Sequence, residues 1–394
     1  MKILQVTNFF KPSWESGGPA RSCYEISKEL VKRGHEVTVY TTDGFKYRLD
    51  VAKNKPVIVD GIKVYYFRNL SNYLSRNFVL PIPYYLPFVA GKEIKNFDVI
   101  HLHEYRTFLN IVVSYYARKY KIPYVLQSRG SIPRLSRREE LKIIFDILWG
   151  YRLLDKTSKI IFSSKIELEK SKYKLKRENK FEIIPNSLNL YNFKKLPKKG
   201  EFRKKYSINK NEKIILYVGR IHKIKGLDLL ISVFSSLNKE LKDIKLVIVG
   251  PDDGHLNSLK NLAKTLKIEN KILFTDPLFG KDKLTAYVDA DIFVLPSKYE
   301  SFGNVALESL ACGTPIIITK GCGLSEYIDR KVGYIIDYNK QQLLETLYDS
   351  LTKDKKIKIM GKNAKKFVEK FSWTEIVEKI KKVYIKVLNT SNIR

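Results

Sequence analysis

Two glutamates, Glu300 and Glu308, stand seven residues apart around the start of a predicted helix. An apolar run over residues 292–296 predicts a buried strand, and it ends at a polar turn that contains Gly303. An apolar pattern at helical spacing begins near Asn304. The free backbone N–H groups of a helix start attract phosphate, and carboxylates accept hydrogen bonds from hydroxyl groups. The pattern therefore fits a ligand that is both a diphosphate and a polyol, such as a nucleotide sugar. A structural interpretation fits the spacing equally well, with Glu300 capping the helix and Glu308 on its exposed face.

Two cations follow another predicted strand, over residues 214–218. Arg220 and Lys225 lie on the turn after this strand, with Gly219 before them and Gly226 after them. Cations held on such a turn can bracket a diphosphate and stabilise it as it departs with increasing negative charge. Taken alone, lysine and arginine on a turn are more often simply solvated.

Together these residues resemble a known family. The pattern Glu300-x7-Glu308, with 295–297 before it and 311–315 after it, resembles the signature of the retaining family-4 (group 1) glycosyltransferases, which have the GT-B fold. The segments 217–231, 249–254 and 183–187 match further family segments in the expected order, as does an N-terminal strand followed by Gly17-Gly18. The resemblance covers nearly the whole chain.

The resemblance implies a role for each matching residue. Arg220 and Lys225 match the positions that bind the leaving diphosphate, and Glu308 would accept hydrogen bonds from the ribose hydroxyls. Glu300 would hold the hydroxyls of the transferred sugar, and backbone groups of the next turn would assist it. Those groups belong to Phe302, Gly303 and Asn304.

Glycine at positions 17 and 18 lies between the first strand and its helix. The missing side chains would let a phosphate approach the backbone there. The pair alone is weak evidence, because two glycines in a loop usually form only a turn.

Two histidines end the predicted strand at 99–102. Alternation places His101 and His103 on one face at the carboxyl edge of the sheet. A zinc site is not expected, because the sequence has only five histidines and no further ligands at suitable spacing. The resemblance implies that His103 lies beside the reacting sugar. For His101 we expect a structural role, satisfied by a neighbouring carbonyl group.

The string Asp289-Ala290-Asp291 has the form of a metal-binding D-x-D motif. It precedes the buried strand at 292–295 and therefore lies at the end of that strand opposite the expected site. We expect transfer without a metal or other cofactor, with Arg220 and Lys225 taking the place of the cation.

Strand and helix patterns alternate along the chain and form two series. The 394 residues exceed what one core usually holds, and the pattern weakens over 189–200. We predict an α/β protein with an N-terminal Rossmann-like acceptor domain at 1–188 and a nucleotide-sugar donor domain at 189–375. The resemblance implies that these two doubly wound domains face each other across a cleft. It also implies that a C-terminal helix at 376–394 crosses back to the first domain.

The chain is strongly basic, with a formal net charge of +32. Residues 1–200 contain 38 Lys and Arg against 18 Asp and Glu, and a basic cluster begins at Arg129 and continues with Arg134, Arg137 and Arg138. No helix-turn-helix, zinc-finger or RNP-type pattern accompanies the charge, so nucleic acid is not an expected partner. An anionic membrane surface or an anionic acceptor would suit the N-terminal domain. An evenly solvated surface is the alternative.

The remaining features bear on the compartment. The sequence has no apolar run long enough to span a bilayer, and its start does not resemble a signal peptide. Three cysteines without metal spacing fit a reducing compartment. We expect a cytoplasmic protein, with peripheral binding to the cytoplasmic membrane face as an option.

The expected function is transfer of a hexose from a UDP-, GDP- or ADP-sugar to a hydroxyl of a glycan or lipid-linked acceptor. The resemblance implies retention of configuration and a place in cell-surface polysaccharide or glycolipid synthesis. One alternative is a nucleotide-sugar epimerase of similar fold, which would release sugar isomers without an acceptor. The other is a nonenzymatic basic protein that binds nucleic acid or membrane, with salt-dependent binding and no turnover.

Overall fold

The chain forms two compact units in a computed structural model that describes residues 1–45, 47–78, 80–134, 139–172 and 178–391. The N-terminal unit contains Met1–Ser187 and the C-terminal helix that begins at Trp373. The C-terminal unit contains Leu188–Ser372.

The N-terminal unit is built on an eight-stranded sheet in the order β3-β4-β2-β1-β5-β6-β7-β8. Its strand pairs are parallel except for the antiparallel pair β3 and β4. The strands are β1 (Lys2–Val6), β2 (Glu36–Thr42), β3 (Pro56–Val59), β4 (Ile62–Phe67), β5 (Val99–His103), β6 (Tyr124–Gln127), β7 (Lys159–Phe162) and β8 (Phe181–Ile183).

Helices connect most of these strands. They are α1 (Gly18–Lys32), α2 (Asn72–Phe78), α3 (Leu86–Glu93), α4 (Phe108–Lys119), α5 (Glu139–Phe145), α6 (Tyr151–Lys156) and α7 (Lys165–Ser171). A π-helical segment, Asp146–Gly150, joins α5 to α6.

Within residues 56–67 the chain reverses direction and forms the antiparallel hairpin β3–β4. The reversal occurs at Asp60 and Gly61, which have φ values of 51° and 79°. Positive φ at both central residues is typical of the tight turn that an Asp-Gly pair favours between antiparallel strands.

The C-terminal unit is built on a six-stranded parallel sheet in the order β11-β10-β9-β12-β13-β14. The strands are β9 (Lys213–Val218), β10 (Ile244–Val249), β11 (Ile272–Thr275), β12 (Ile292–Leu295), β13 (Ile316–Thr319) and β14 (Gly333–Ile336). The helices are α8 (Glu201–Lys205), α9 (Leu227–Glu240), α10 (Leu256–Thr265), α11 (Gly280–Asp289), α12 (Asn304–Ala311), α13 (Lys340–Thr352) and α14 (Asp354–Phe367). The order is that of a Rossmann sheet. The strands from β9 to β11 are added toward one edge of the sheet, and from β12 onward they are added toward the other edge, so that β9 and β12 lie side by side at this reversal.

Both faces of the N-terminal sheet are covered by apolar side chains. Alternate residues of one strand belong to opposite layers: Leu4 packs with α3, α4 and α6, whereas Ile3 packs with α1 and the final helix α15 (Trp373–Ser391). α15 contributes six buried side chains to its layer, and each buried apolar side chain stabilises the fold by about 1.5–3 kcal/mol. These side chains are Ile376, Val377, Ile380, Val383, Tyr384 and Val387. The prediction of two doubly wound Rossmann-like folds is confirmed.

Candidate active site

In the C-terminal unit, the candidate residues lie where the two halves of the sheet diverge. Parallel strands end at one edge, and a crevice for a ligand forms outside the carboxyl ends of the two strands on either side of the reversal. Arg220 and Lys225 follow β9, and Glu300 follows β12, its neighbour in the sheet. The sheet order therefore brings together residues that are far apart in the sequence.

Lys225 and Glu300 form an ion pair across this crevice. The Lys225 ammonium donates to the Glu300 carboxylate, and the two side chains are 12% and 21% exposed. Each partly buried charge is thus compensated by the other, which limits the cost of taking both out of water. The pair joins the turn after β9 to the turn after β12.

The turn that carries Lys225 rests directly on the end of β12. The backbone N–H of Lys298 donates to the carbonyl of Ile224 at 2.9 Å. Gly226 has a φ of 70°, and a Cβ atom built there would lie 2.1 Å from the Pro296 carbonyl oxygen. Glycine is therefore required at position 226 by both conformation and space.

Arg220 is the exposed cation of the site. Its side chain is 63% exposed, and its guanidinium pairs with Asp253 at 2.6 Å. Asp253 belongs to the loop after β10, the other neighbour of β9. The backbones of these two loops are in close contact, because a Cβ at Gly250 would lie 1.9 Å from the Gly219 carbonyl oxygen.

The start of α12 decides between the two interpretations of Glu300. The helix is preceded by Gly303 in the left-handed conformation, with a φ of 100° and no side-chain cap. Glu300 therefore does not cap the helix. Its backbone instead pairs with the loop after β13, donating to Gly321 O and accepting from Gly323 N, both at 2.9 Å. Phe302 is buried, and Asn304 is exposed at the first position of the helix.

Glu308 does not lie on an exposed helix face either. It is 19% exposed, and its two oxygens accept hydrogen bonds from Lys283 and Tyr287, each at 2.9 Å. Tyr287 is fully buried, and burial beside Glu308 raises the pKa of its hydroxyl well above the usual value. Neither partner was predicted from the sequence. Their spacing on α11, four residues apart and on one face, was the available signal.

In the N-terminal unit, Gly17 immediately precedes α1 and Gly18 is its first residue. Gly17 has a φ of 99°, which favours glycine. A Cβ at Gly18 would meet no atom within 4 Å, and its φ lies outside the range that favours glycine. Neither crowding nor strain within the described residues accounts for the second glycine.

His101 and His103 lie on one face of β5, as the alternation predicts. Both are fully buried, and their rings stack with centroids 4.3 Å apart. Burial, with His101 and Arg129 nearby, keeps the pKa of His103 well below its usual value, so the ring is neutral. The Nδ1 atom of His101 lies 2.6 Å from the hydroxyl of Tyr384 on α15.

Donors and acceptors around these rings form one directed chain. Arg129 Nε can only donate, so Nδ1 of His103 accepts at 3.3 Å, and the proton on Nε2 is donated to Gln5 Oε1 at 2.7 Å. Gln5 Nε2 then donates to the hydroxyl oxygen of Tyr384 at 3.1 Å. Because this oxygen accepts from Gln5, the hydroxyl proton of Tyr384 is donated to His101 Nδ1. The chain links β1, β5, the loop after β6 and α15.

Two charged residues at this edge have a backbone conformation that non-glycine residues rarely adopt. Glu104 follows β5 with a φ of 63°, and Arg129 follows β6 with a φ of 48°. Burial raises the pKa of the Glu104 carboxyl to about 7, although the nearby positive charge of Arg129 acts to lower this pKa. The buried carboxylate of Glu167 holds the loop that carries Arg129 by accepting from Ser128 Oγ and Gly130 N. Glu104 was not predicted as a site residue, although a carboxylate directly after the end of a predicted strand is visible in the sequence.

The Asp289-Ala290-Asp291 string lies before β12, as expected, and both carboxylates have structural partners. Asp289 is fully buried and accepts from Gly200 N at 2.5 Å and from Arg203 N at 2.9 Å. Asp291 accepts from Ile214 N at 2.8 Å and pairs with the Arg203 guanidinium at 3.2 Å. The pair thus ties α8 and β9 to the start of β12.

The basic cluster after β6 is only partly described. Arg134 is 16% exposed and donates two hydrogen bonds to the buried carboxylate of Asp146, which also accepts two from Arg106. Arg134 is therefore held within the fold. Arg137 and Arg138 lie outside the described residues.

The fold consists of two Rossmann-like units, and the second carries a basic and acidic cluster at the reversal of its strand order. Comparison with known proteins identifies the family. Residues 198–367 match the family described as glycosyl transferases group 1, and residues 16–191 match glycosyltransferase family 4. An uncharacterized glycosyltransferase of Methanocaldococcus jannaschii is 30% identical over 98% of each chain. The chain belongs to the group 1, family 4 glycosyltransferases and has the GT-B fold.

Two further comparisons are informative, one with a relative and one with a solved structure. The alpha-monoglucosyldiacylglycerol synthase of Streptococcus pneumoniae is 27% identical over 89% of this chain and 78% of its own length. The crystal structure of Anabaena HepE in complex with UDP has the same fold, with a TM-score of 0.75 over 98% of this chain and all of HepE, at 17% identity. Within the described ranges, no helix combines the length and the apolar character that crossing a bilayer would require.

Proposed function

We propose that this glycosyltransferase moves a hexose from a UDP-, GDP- or ADP-sugar to a hydroxyl group of a glycan or lipid-linked acceptor. The observation that carries the proposal is the Lys225–Glu300 ion pair at the reversal of the C-terminal sheet. It supports the proposal because a cation that could bind a diphosphate lies beside a carboxylate that could accept hydrogen bonds from sugar hydroxyls. The acceptor classes are supported by the relative that makes a glycolipid.

Each residue has a role in the proposed reaction. Arg220 and Lys225 stabilise the nucleoside diphosphate as the bond from the anomeric carbon to the phosphate oxygen breaks. Glu300 accepts hydrogen bonds from the transferred sugar, with backbone groups of Phe302, Gly303 and Asn304. Glu308, already held by Lys283 and Tyr287, orients the ribose. Gly17 and Gly18 let a phosphate approach the start of α1. The bound phosphate would explain why position 18 is glycine, although a Cβ there would contact no protein atom.

His103 contributes as a neutral ring beside the reacting sugar. Its low pKa and fixed hydrogen bonds exclude it as a proton donor at neutral pH. Its role in the proposed reaction is therefore to shape and position the sugar site at the end of β5. Cell-surface polysaccharide or glycolipid synthesis is the process that fits such a product.

The proposed transfer retains the anomeric configuration and needs no metal. Retention by double displacement requires a carboxylate at the anomeric carbon, and both glutamates of the site have other roles. The acceptor oxygen therefore attacks from the face that the phosphate leaves, and a phosphate oxygen takes the acceptor proton. Inverted product in NMR spectra, or activity lost with EDTA and restored by a divalent ion, would contradict this mechanism.

The first experiment identifies the donor. The purified protein is screened for thermal stabilisation by UDP, GDP and ADP, since a ligand of the folded state raises the unfolding temperature by mass action. The corresponding labelled nucleotide hexoses are then tested for transfer to membrane lipid and glycan acceptors. If the protein releases sugar isomers without an acceptor, the epimerase alternative replaces the proposal.

The second experiment tests Lys225 against a matched neighbour. Lys223 is exposed on the same turn, so Lys223→Ala removes a charge of the same sign without touching the ion pair. We expect Lys225→Ala to lower kcat by on the order of 10²-fold or more at saturating donor, and Lys223→Ala to lower it by less than about threefold. Arg220→Ala should resemble Lys225→Ala. Near-normal kcat in Lys225→Ala would overturn the assignment.

A further inference from the structure

Large apolar side chains are exposed along one segment of the N-terminal unit, between residues 141 and 151. They lie on α5, the π-helical segment and the first residue of α6. Each is between 43% and 65% exposed, although residues of these types are usually buried. They are Leu141, Ile144, Ile147, Leu148, Trp149 and Tyr151.

The rest of this segment is anchored in the fold, so the exposure does not reflect a loosely attached helix. Leu153 and Leu154 are buried in the core, and Asp146 is buried beneath Arg106 and Arg134. Gly150 lies against Tyr105, where a Cβ would approach the hydroxyl to 2.1 Å. The segment thus has an inner face that packs and an outer face that is also apolar.

The outer face continues into a groove of about 340 Å³ against α4 and the start of α3. Leu148 and Trp149 form one side of the groove, and Ile111, Val112 and Tyr115 form part of the other. Two cations, Arg118 and Arg152, line it, and no Asp or Glu is among the described lining residues. Phe88, at the start of α3 and next to Pro87 of the groove wall, is a further apolar side chain with 65% exposure.

We propose that this face, the 141–151 surface, binds the surface of an anionic lipid bilayer. Helices that bind in the interface of a membrane have a characteristic composition. They expose leucine and isoleucine together with tryptophan and tyrosine, and arginines lie beside this apolar face. The apolar side chains enter the boundary of the acyl region, and Arg118 and Arg152 meet lipid phosphates. The proposal does not depend on the identity of the donor or acceptor.

A second copy of this chain is a poorer occupant. With a net charge of +32, two copies that meet at faces lined by arginine repel each other. Anionic lipid instead neutralises the same charges, so the charge that opposes dimerisation favours the membrane. The cations that matter are those of the groove, since Arg134 is already held by Asp146.

The test is co-sedimentation of the two-unit protein with vesicles of phosphatidylcholine alone or with about one third phosphatidylglycerol. The test variant is Ile147→Ser/Leu148→Ser. The matched control is Phe279→Ser/Ile359→Ser, which removes two exposed apolar side chains, 75% and 59% exposed, from the C-terminal unit. Arg152→Gln is paired with Arg330→Gln, an exposed arginine of the C-terminal unit.

We expect wild-type protein to bind the anionic vesicles and to be released at high salt. The Ile147→Ser/Leu148→Ser variant should partition into the anionic vesicles about tenfold or more weakly than wild type. Arg152→Gln should weaken this partitioning by about fivefold, and each of the two controls should weaken it by less than about twofold. Tryptophan emission should shift to the blue on binding, and Trp149→Phe should remove most of the shift while the protein still binds.

Four results would overturn the proposal. They are equal recovery of wild-type protein in all supernatants, equal binding by Ile147→Ser/Leu148→Ser, an equal loss in the controls, and dimers in light scattering that the double serine variant dissociates. The last result would assign the surface to a second copy.

Discussion

Glu104 shows how the fold holds a single residue at an energetic cost. Its backbone is left-handed, and burial raises the pKa of its carboxyl from 4.5 to about 7. Between these pH values the folded protein keeps a proton that the unfolded chain has released. The free energy of unfolding therefore falls as the pH rises through this window. A residue that costs stability at neutral pH, at the edge that carries His103, is a candidate for a functional role.

This predicts a pH-dependent effect of Glu104→Gln. The variant should be close to wild type in stability near pH 4.5 and more stable above pH 7, by at most about 3 kcal/mol. The measurement is thermal unfolding of both proteins between pH 4.5 and 8. Glu240→Gln, at an exposed helix position, is the control and should show no such trend. A stability difference that stays constant with pH would contradict the raised pKa.

At the scale of elements, the active-site geometry depends on how closely two strand-end turns pack. The turn after β9 contacts the end of β12 through the Lys298–Ile224 hydrogen bond and the close approach at Gly226. The same packing brings Lys225 to Glu300. Any group inserted between these turns would separate the ion pair.

Gly226→Ala tests this packing, and Gly280→Ala provides the matched control. Both glycines have positive φ, 70° and 51°, so both alanine variants incur a backbone cost of about 1–2 kcal/mol. Only at Gly226 would the new Cβ meet Pro296 O at 2.1 Å, whereas nothing lies within 4 Å at Gly280. We expect Gly226→Ala to lose a further ~1–3 kcal/mol of unfolding free energy in urea and to lower kcat. If the two variants lose equal stability, the packing argument fails.

At the scale of the whole molecule, the N-terminal unit is completed by the helix that follows the C-terminal unit in the chain. α15 covers one face of the N-terminal sheet, and Tyr384 closes the hydrogen-bond chain that runs through His101 and Gln5. Residues that follow the C-terminal unit in the chain therefore supply part of the core of the N-terminal unit.

Tyr384→Phe should destabilise the protein by about 1–3 kcal/mol, because Gln5 and His101 would lose a buried partner. Tyr348→Phe, at an exposed position on α13, is the control and should leave the stability nearly unchanged.

Truncation after Ser372 should have a larger effect. It should expose the N-terminal sheet to protease, while a fragment near Leu188–Ser372 stays protected. Protection of both units in the truncated chain would contradict this account.

The sequence alone determined the local elements and the order of the motifs. Strand and helix periods, with glycines at strand ends, predicted both Rossmann-like folds and placed Arg220, Lys225 and Glu300 at carboxyl ends of strands. These features could be predicted because periodicity and turn chemistry depend on residues that are close in sequence.

Only the tertiary structure decided which side chains meet. Lys225 and Glu300 are 75 residues apart, and His101 and Tyr384 are 283 apart. Likewise, the partners of Glu308 come from another helix, and the 141–151 surface is exposed although its sequence resembles that of a core helix. A pattern specifies which face of an element is apolar or polar, but not which element covers it. That depends on the strand order and on the packing of the complete chain.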